Sequence, residues 1–150
     1  MKKIMFVCHG NICRSPMAEF VFLDIARKNR KENEFMVASS ATSTEEYGAP
    51  IHPEAIAQMR KHDIPFTPRR AVLLSADDYD KYDIFAIMDE RNRRGIFDIF
   101  GTDPENKVHL LLEYAGRNEG ISDPWYSGNF DLAFDEIESG CLALFDHLAN

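Results

Sequence analysis

Ile4-Met5-Phe6-Val7-Cys8-His9-Gly10-Asn11-Ile12-Cys13-Arg14-Ser15-Pro16 reads as a strand, a turn and the start of a helix in direct succession. The run from Ile4 to Cys8 is continuously apolar, the mark of a strand buried on both faces. His9-Gly10-Asn11 stops it. Gly10 tolerates positive φ without cost, and Asn11 is among the residues that do so next most readily. Ser15 suits a helix cap, Pro16 suits the first turn, and Glu19 lies within capping range. The helix then runs through Phe22, Ile25 and Arg27 to the charge cluster from Lys28 to Glu34.

Outward from this segment the pattern repeats. Phe35-Met36-Val37-Ala38 reads as a second strand, and Pro53 to His62 as a helix with Ile56 and Met59 at helical spacing. Ile84-Phe85-Ala86-Ile87-Met88 has the continuous apolarity of a central parallel strand, and Val108 to Leu112 is a fourth candidate. Phe134, Ile137, Cys141, Leu144, Phe145 and Leu148 form the apolar stripe of a last helix, with Asp135, Glu136 and Glu138 on its other side. Strands alternating with helices predict one α/β domain over residues 1–150, a parallel sheet with right-handed crossovers. Ligands of such sheets sit beyond the carboxyl ends of the strands, which points to the loop after Val7.

Composition narrows the function. With 45% hydrophobic and 28% charged residues, the 150-residue chain is an ordinary globular sequence, not a disordered one. Seventeen basic against twenty-five acidic residues leave a net charge of −8, which argues against nucleic acid or an anionic membrane as the main partner. Ile4 to Cys8 is too short for a signal-peptide core or a membrane span. Three cysteines fit a reducing cytoplasm better than a disulfide framework, so a cytoplasmic location without membrane insertion is expected.

Cys8-His9-Gly10-Asn11-Ile12-Cys13-Arg14-Ser15 has the features of an oxyanion cradle. Backbone N–H groups around Gly10 and Asn11 can turn inward as an anion-binding nest, delivered to the positive end of the following helix. Arg14 supplies a planar fork that matches two phosphate oxygens. Cys8 points into a cradle built for negative charge, and the field that binds phosphate favours thiolate over thiol. A thiolate facing a phosphoryl group is a nucleophile, and a hydrogen bond from Ser15 would keep it a good leaving group. A strand-end cysteine alone is most simply a core residue. That reading leaves the five-residue gap to Arg14 and the Ser-Pro that follows unexplained.

Val7-Cys8-x5-Arg14-Ser15-Pro16, together with Met88-Asp89 and Asp123-Pro124, resembles the low-molecular-weight protein tyrosine phosphatases over nearly the whole chain. The resemblance implies a four-stranded parallel sheet with helices on both faces and no cofactor. It makes Cys8 the nucleophile that becomes a phosphocysteine, Arg14 the phosphate clamp and Asp123 the general acid. It makes Asn11 and Ser15 the residues that fix loop and thiolate, with His9, Gly10, Ile12 and Cys13 completing the phosphate loop. Phosphotyrosine-bearing proteins become the expected substrates, and phosphate- or vanadate-like anions the expected inhibitors.

Expelling a phenolate, of pKa about 10, gives a proton donor real leverage. Asp123 precedes Pro124-Trp125-Tyr126, and desolvation by aromatics and the like charge of a phosphate both favour a protonated carboxyl there. Asp103-Pro104, the same dipeptide without aromatics, reads as a turn. Trp125 and Tyr126 are expected to wall one side of a flat ring. On the other side the family often carries an aromatic residue where this chain has Glu45, with Tyr47 two residues on. Relatives that act on phosphoarginine tend to have threonine where Ile12 stands, so Ile12 favours phosphotyrosine. Arsenate reduction requires further cysteines in mid-chain, and none lies between Cys13 and Cys141.

Cys8, Cys13 and His9 lack the second ligand pair of a structural zinc site, so no metal is expected. A reversible Cys8–Cys13 disulfide is the more favoured use of the pair. Cys141 reads as a core residue; His52, His62, His109 and His147 as solvated or satisfied; and Arg91, Arg93 and Arg94 as decoration of a helix surface, with attraction of acidic phosphopeptides towards the site the less favoured alternative. Two non-hydrolytic readings stand beside the enzyme. A phosphocysteine carrier would need no Asp123-Pro124-Trp125, and a silent phospho-ligand module need not keep Cys8, Arg14 and Asp123 together.

Overall fold

The computed structural model describes residues 1–149. Among them, β1 (Lys2–Cys8), β2 (Phe35–Ala41), β3 (Ile84–Ile87) and β4 (Val108–Leu110) form one sheet in the order β2-β1-β3-β4. Each neighbouring pair is parallel, with Lys2 opposite Phe35, Ile4 opposite Ile84 and Phe85 opposite Val108. Parallel neighbours need crossovers, which helices supply. The helices are α1 (Arg14–Lys28), α2 (Pro53–Lys61), α3 (Glu90–Phe100), α4 (Pro124–Ser127) and α5 (Phe130–Ala149).

The alternation along β1 explains its unbroken apolarity. Ile4, Phe6 and Cys8 join the core that α1, α2 and α5 build on one face. Met5 and Val7 join Phe85, Ile87 and Ile96 on the other face, where α3 packs. Phe22 of α1, Phe35 of β2 and Phe145 of α5 lock the first layer, with ring centroids 5.1 Å and 5.8 Å apart in successive pairs. Gly140 lets α5 settle on the turn after β4, since a Cβ there would lie 2.5 Å from Leu111 Cγ.

Three local readings are corrected. β2 continues to Ala41, and β4 stops at Leu110, where the chain coils into a 3₁₀ turn, Leu111–Ala115. The first helix starts at Arg14 with Cys13 at its cap and no side-chain cap bond. Pro16 does occupy the first turn, but Ser15 and Glu19 are used elsewhere. Among the described residues no helix is long and apolar enough to cross a membrane.

Candidate active site

Cys8 ends β1 and Arg14 begins α1, so residues 9–13 form the turn at the carboxyl edge of the sheet. The left-handed residue in it is Asn11, at φ 59°, and not Gly10. Gly10 eases the packing of the turn: a Cβ there would come within 3.3 Å of Glu46 Cγ, which would have to give way. Three backbone bonds fasten the turn, from Thr42 N to the Cys8 carbonyl (3.0 Å), Ser43 N to that of His9 (3.1 Å) and His52 N to that of Ile12 (2.9 Å).

One fixed donor sets the hydrogen-bond directions at Asn11. Val72 N–H donates to Asn11 Oδ1 at 3.1 Å, which orients the amide. Asn11 Nδ2 therefore donates to Ser15 Oγ (2.8 Å) and to Ser39 Oγ (3.0 Å). Ser39 passes its own proton to Glu19 Oε1 at 2.7 Å. Ser15 Oγ, already accepting from Asn11, lies 3.0 Å from Cys8 Sγ, and to a thiolate, which has no proton to give, its hydroxyl is the donor. Asn11 N–H donates to the same sulfur at 3.2 Å. A sulfur receiving two donors is arranged as an acceptor, the requirement of a thiolate. Glu19, 1% exposed, is neutralised by Arg69, whose Nε lies 3.1 Å from Oε2.

Arg14 is 3% exposed. Its Nη1 donates to Asp89 Oδ2 at 2.8 Å and to the Ile121 carbonyl at 2.9 Å, and its Nη2 to Asp123 Oδ2 at 3.4 Å. Burial alone would lower its pKa, but the charges of Cys8, Asp89 and Asp123 outweigh burial and raise it. In the sequence Asp89 reads as a strand end that shares in the family resemblance and as the alternative carboxylate to Asp123. It also caps α3, accepting from Asn92 N–H at 3.0 Å through Oδ1, so Oδ2 is left for Arg14. Its spacing to Asn92 is the signal that identifies a cap. Gly120 brings the Asp123 segment against it, since a Cβ there would lie 2.9 Å from Asp89 Cβ.

Asp123 caps the short α4, with Oδ1 accepting from Trp125 N–H at 3.1 Å. It opens onto the same cleft as Cys8 and Arg14, beside Trp125 and Tyr126. Arg91 lines this cleft too, contrary to its reading as helix decoration: it donates to Tyr126 Oη at 3.1 Å and lies over that ring. Across the mouth stand Glu45 and Glu46, and His9 Nε2 is 3.0 Å from Glu45 Oε2. Tyr47 is exposed and does not line the cleft. Gly10, Ile12 and Cys13 line it as well.

Cys13 is pushed up to about 12 by burial, with Cys8 and Asp123 adding to the shift, so it stays a thiol. Cys8, Cys13 and Cys141 are buried and unbridged. Cys141 sits in the core, its thiol 3.6 Å from the Ala18 carbonyl. Asp103, by contrast with Asp123, serves a turn: it accepts from Lys107 N–H (2.8 Å) and Val108 N–H (3.0 Å). Among the described residues no group of three His, Cys, Asp or Glu side chains stands together to hold a metal ion.

The family model for low molecular weight phosphotyrosine protein phosphatase matches residues 3–150. The low molecular weight protein-tyrosine-phosphatase YfkJ of Bacillus subtilis is 33% identical over 146 residues, spanning 96% of this chain and 94% of that protein. Its crystal structure superposes with a TM-score of 0.95 at 32% identity, covering 99% of this chain and 95% of that one. PtpA of Staphylococcus aureus is 34% identical over 99% of this chain and 94% of its own length. The crystal structure of a Drosophila arginine phosphatase superposes with a TM-score of 0.87 at 27% identity, covering 100% and 99%. The sheet, the loop after β1 and these matches over the full chain agree, and the chain belongs to the low-molecular-weight protein-tyrosine-phosphatase family of enzymes.

Proposed function

We propose that this chain hydrolyses phosphotyrosine and small aryl phosphate monoesters, with Cys8 as nucleophile, Arg14 as phosphate clamp and Asp123 as proton donor. The observation that carries the reading is the convergence of a doubly donated sulfur, a buried guanidinium and a cap carboxylate on one cleft. Phosphate enters the loop as a dianion and is held by its inward N–H groups and by the Arg14 fork. Nη1 is committed to Asp89 and Ile121, so the edge that meets phosphate is Nε with Nη2.

Cys8 Sγ attacks phosphorus in line, the P–O bond to the aryl group breaks, and Asp123 gives its proton to the departing oxygen. Asp123 is then a carboxylate and takes a proton from the water that attacks the phosphocysteine. The S–P bond breaks, inorganic phosphate leaves, and Cys8 returns as a thiolate hydrogen-bonded by Ser15 and Asn11 N–H. Trp125 and Tyr126 flank the aryl ring and Arg91 steadies Tyr126. Phosphate and vanadate act as competitive inhibitors by occupying the cradle. A phosphocysteine carrier or a silent phospho-ligand module would show no steady turnover.

One observation favours a second substrate. Glu45 and Glu46 give one side of the mouth an acidic surface that suits a guanidinium, and the Drosophila relative is described as an arginine phosphatase. The test is metal-free turnover of phenyl phosphate and of phosphotyrosine, phosphoserine and phosphoarginine peptides. Phosphotyrosine with the highest kcat/KM supports the assignment. A higher value on phosphoarginine transfers it to the second substrate, and a protein that binds phosphate without turnover overturns both.

A further inference from the structure

His52 lies outside the reacting centre, yet it touches both halves of it. Its backbone N–H donates to the Ile12 carbonyl at 2.9 Å, inside the phosphate loop. Its ring Nδ1 accepts from Glu54 N–H at 3.0 Å, which caps α2. The ring stacks on Phe130 with centroids 5.2 Å apart and 30° between planes. Its edge meets Trp125 at 6.0 Å and 84°. Trp125 in turn gives its backbone N–H to Asp123 Oδ1.

We propose that His52 is a positioning residue for proton transfer, holding Trp125, and through it the Asp123 carboxyl, at a fixed place relative to the phosphate loop. The proposal rests on the assignment of Asp123 as the donor. Trp125 and its neighbour Tyr126 are 57% and 71% exposed, so α4 is held through buried Pro124, the Arg91–Tyr126 contact and the Arg14–Asp123 bond at its cap. A further anchor comes from α2, on the side of Trp125. Gln58 Nε2 and Lys61 Nζ both donate to Asp131 Oδ1, at 2.6 Å and 3.0 Å, and fix the start of α5 just beyond α4. His52 completes this bracket at the end nearest the chemistry. A general acid misplaced by a fraction of an ångström loses effect without losing the fold, because the donor must meet the leaving oxygen within hydrogen-bond reach.

Two substitutions separate the ring from the cap. His52→Asn keeps a neutral cap acceptor and removes the ring; His52→Phe keeps a ring and removes the acceptor. Each is measured as log kcat/KM against leaving-group pKa over a series of aryl phosphates, beside Asp123→Asn and the double variant Asp123→Asn/His52→Asn. The expected result for His52→Asn is a loss of about tenfold on phenyl phosphate but within about twofold on para-nitrophenyl phosphate, a part of the ~10²–10⁴ that general-acid catalysis supplies. Its slope steepens towards that of Asp123→Asn, and the double variant is no steeper than Asp123→Asn alone. His52→Phe keeps the parental slope while its Tm falls by about 2–4 °C.

A parental slope in His52→Asn beside a steep one in Asp123→Asn overturns the role of His52 and leaves the acid assignment standing. Equal steepening in His52→Phe and His52→Asn also overturns it, because the cap and not the ring would then carry the effect. Parallel lines for parent and Asp123→Asn overturn the acid assignment, and this proposal with it. If His52→Asn fails to fold, Trp125→Leu breaks the same contact from the other side and must steepen the slope in its place.

Discussion

Arg14 Nη1 donates to Asp89 Oδ2 at 2.8 Å, joining the start of α1 to the end of β3 beneath the phosphate loop. The guanidinium is buried and its partner is partly open, 3% against 24% side-chain exposure. Asp89 therefore sets where the fork points. Asp89→Asn keeps the shape and one acceptor oxygen but removes the charge. The expected outcome is a fall in kcat/KM on aryl phosphates of about 10- to 100-fold, the scale of a misplaced catalytic group. Parental kinetics would show that the Ile121 carbonyl holds Arg14 without help.

Cys8→Ser is expected to abolish turnover while phosphate and vanadate still bind. The cradle is largely backbone, but a serine hydroxyl at neutral pH is a poor nucleophile without a base. Turnover within about tenfold of the parent would rule out attack by the sulfur. Retained vanadate binding, read by calorimetry, checks that the loop has kept its shape.

Cys13 makes the response to oxidants depend on pH. Peroxide takes the Cys8 thiolate to a sulfenic acid with release of hydroxide, and Cys13 can then condense with it, losing water and forming a disulfide. The attacking species is the Cys13 thiolate, and Cys13 stands at about 12, chiefly through burial. Below that value its thiolate fraction rises about tenfold per pH unit, so trapping becomes faster as pH rises. Activity recovered by a thiol reductant after a peroxide pulse is expected to increase between about pH 6 and 8. In Cys13→Ser recovery is expected to be lower and flat. Equal recovery in both proteins at both pH values would remove Cys13 from the reaction.

What the sequence made legible was what lies close along the chain. Cys8, Arg14 and Pro16 fall within one strand–turn–helix, so their spacing alone gives that local fold and points to the proposed cradle. The two-faced burial of Ile4–Cys8 and Ile84–Met88 was likewise written in their apolarity. Local rules failed where another partner, near or distant in the chain, competes for the same atom. Ser15 has the pattern of a cap, but Asn11 and Cys8 claim its hydroxyl. Glu19 has capping spacing, but Ser39 and Arg69 claim its carboxylate. Asp89 and Arg91 reach the site, and His52 its border at Trp125, only because the register of the parallel strands and the return of the 120–130 segment bring them there. No spacing in the sequence encodes those meetings.

The chain of donors Asn11–Ser15–Cys8 leads to a prediction about which chemical step is slow. In the proposed mechanism phosphocysteine breakdown expels the Cys8 thiolate, and a hydrogen bond to that charge lowers the barrier to expulsion. The same bond makes the thiolate a weaker attacking group, so it assists the second step more than the first. Ser15 is fully buried, and its replacement by alanine changes little volume while leaving Asn11 Nδ2 its other acceptor, Ser39 Oγ. Hydrogen bonds to charged groups are worth about 1.5–3 kcal/mol, or roughly 10- to 150-fold in rate. Ser15→Ala should therefore slow phosphocysteine hydrolysis by a factor in that range while forming the intermediate at near-parental speed. Rapid mixing with para-nitrophenyl phosphate would show a burst of nitrophenol equal to the enzyme concentration, followed by a slow steady state, and acid quenching would recover phosphate bound to the protein. Glu19→Gln should act in the same direction and less strongly, because it loosens Ser39 and so Asn11 without removing the donor to sulfur. A Ser15→Ala protein with parental kcat and no burst would mean that the serine proton points away from Cys8. The direction assigned to the last link of the Asn11–Ser15–Cys8 chain would then be wrong.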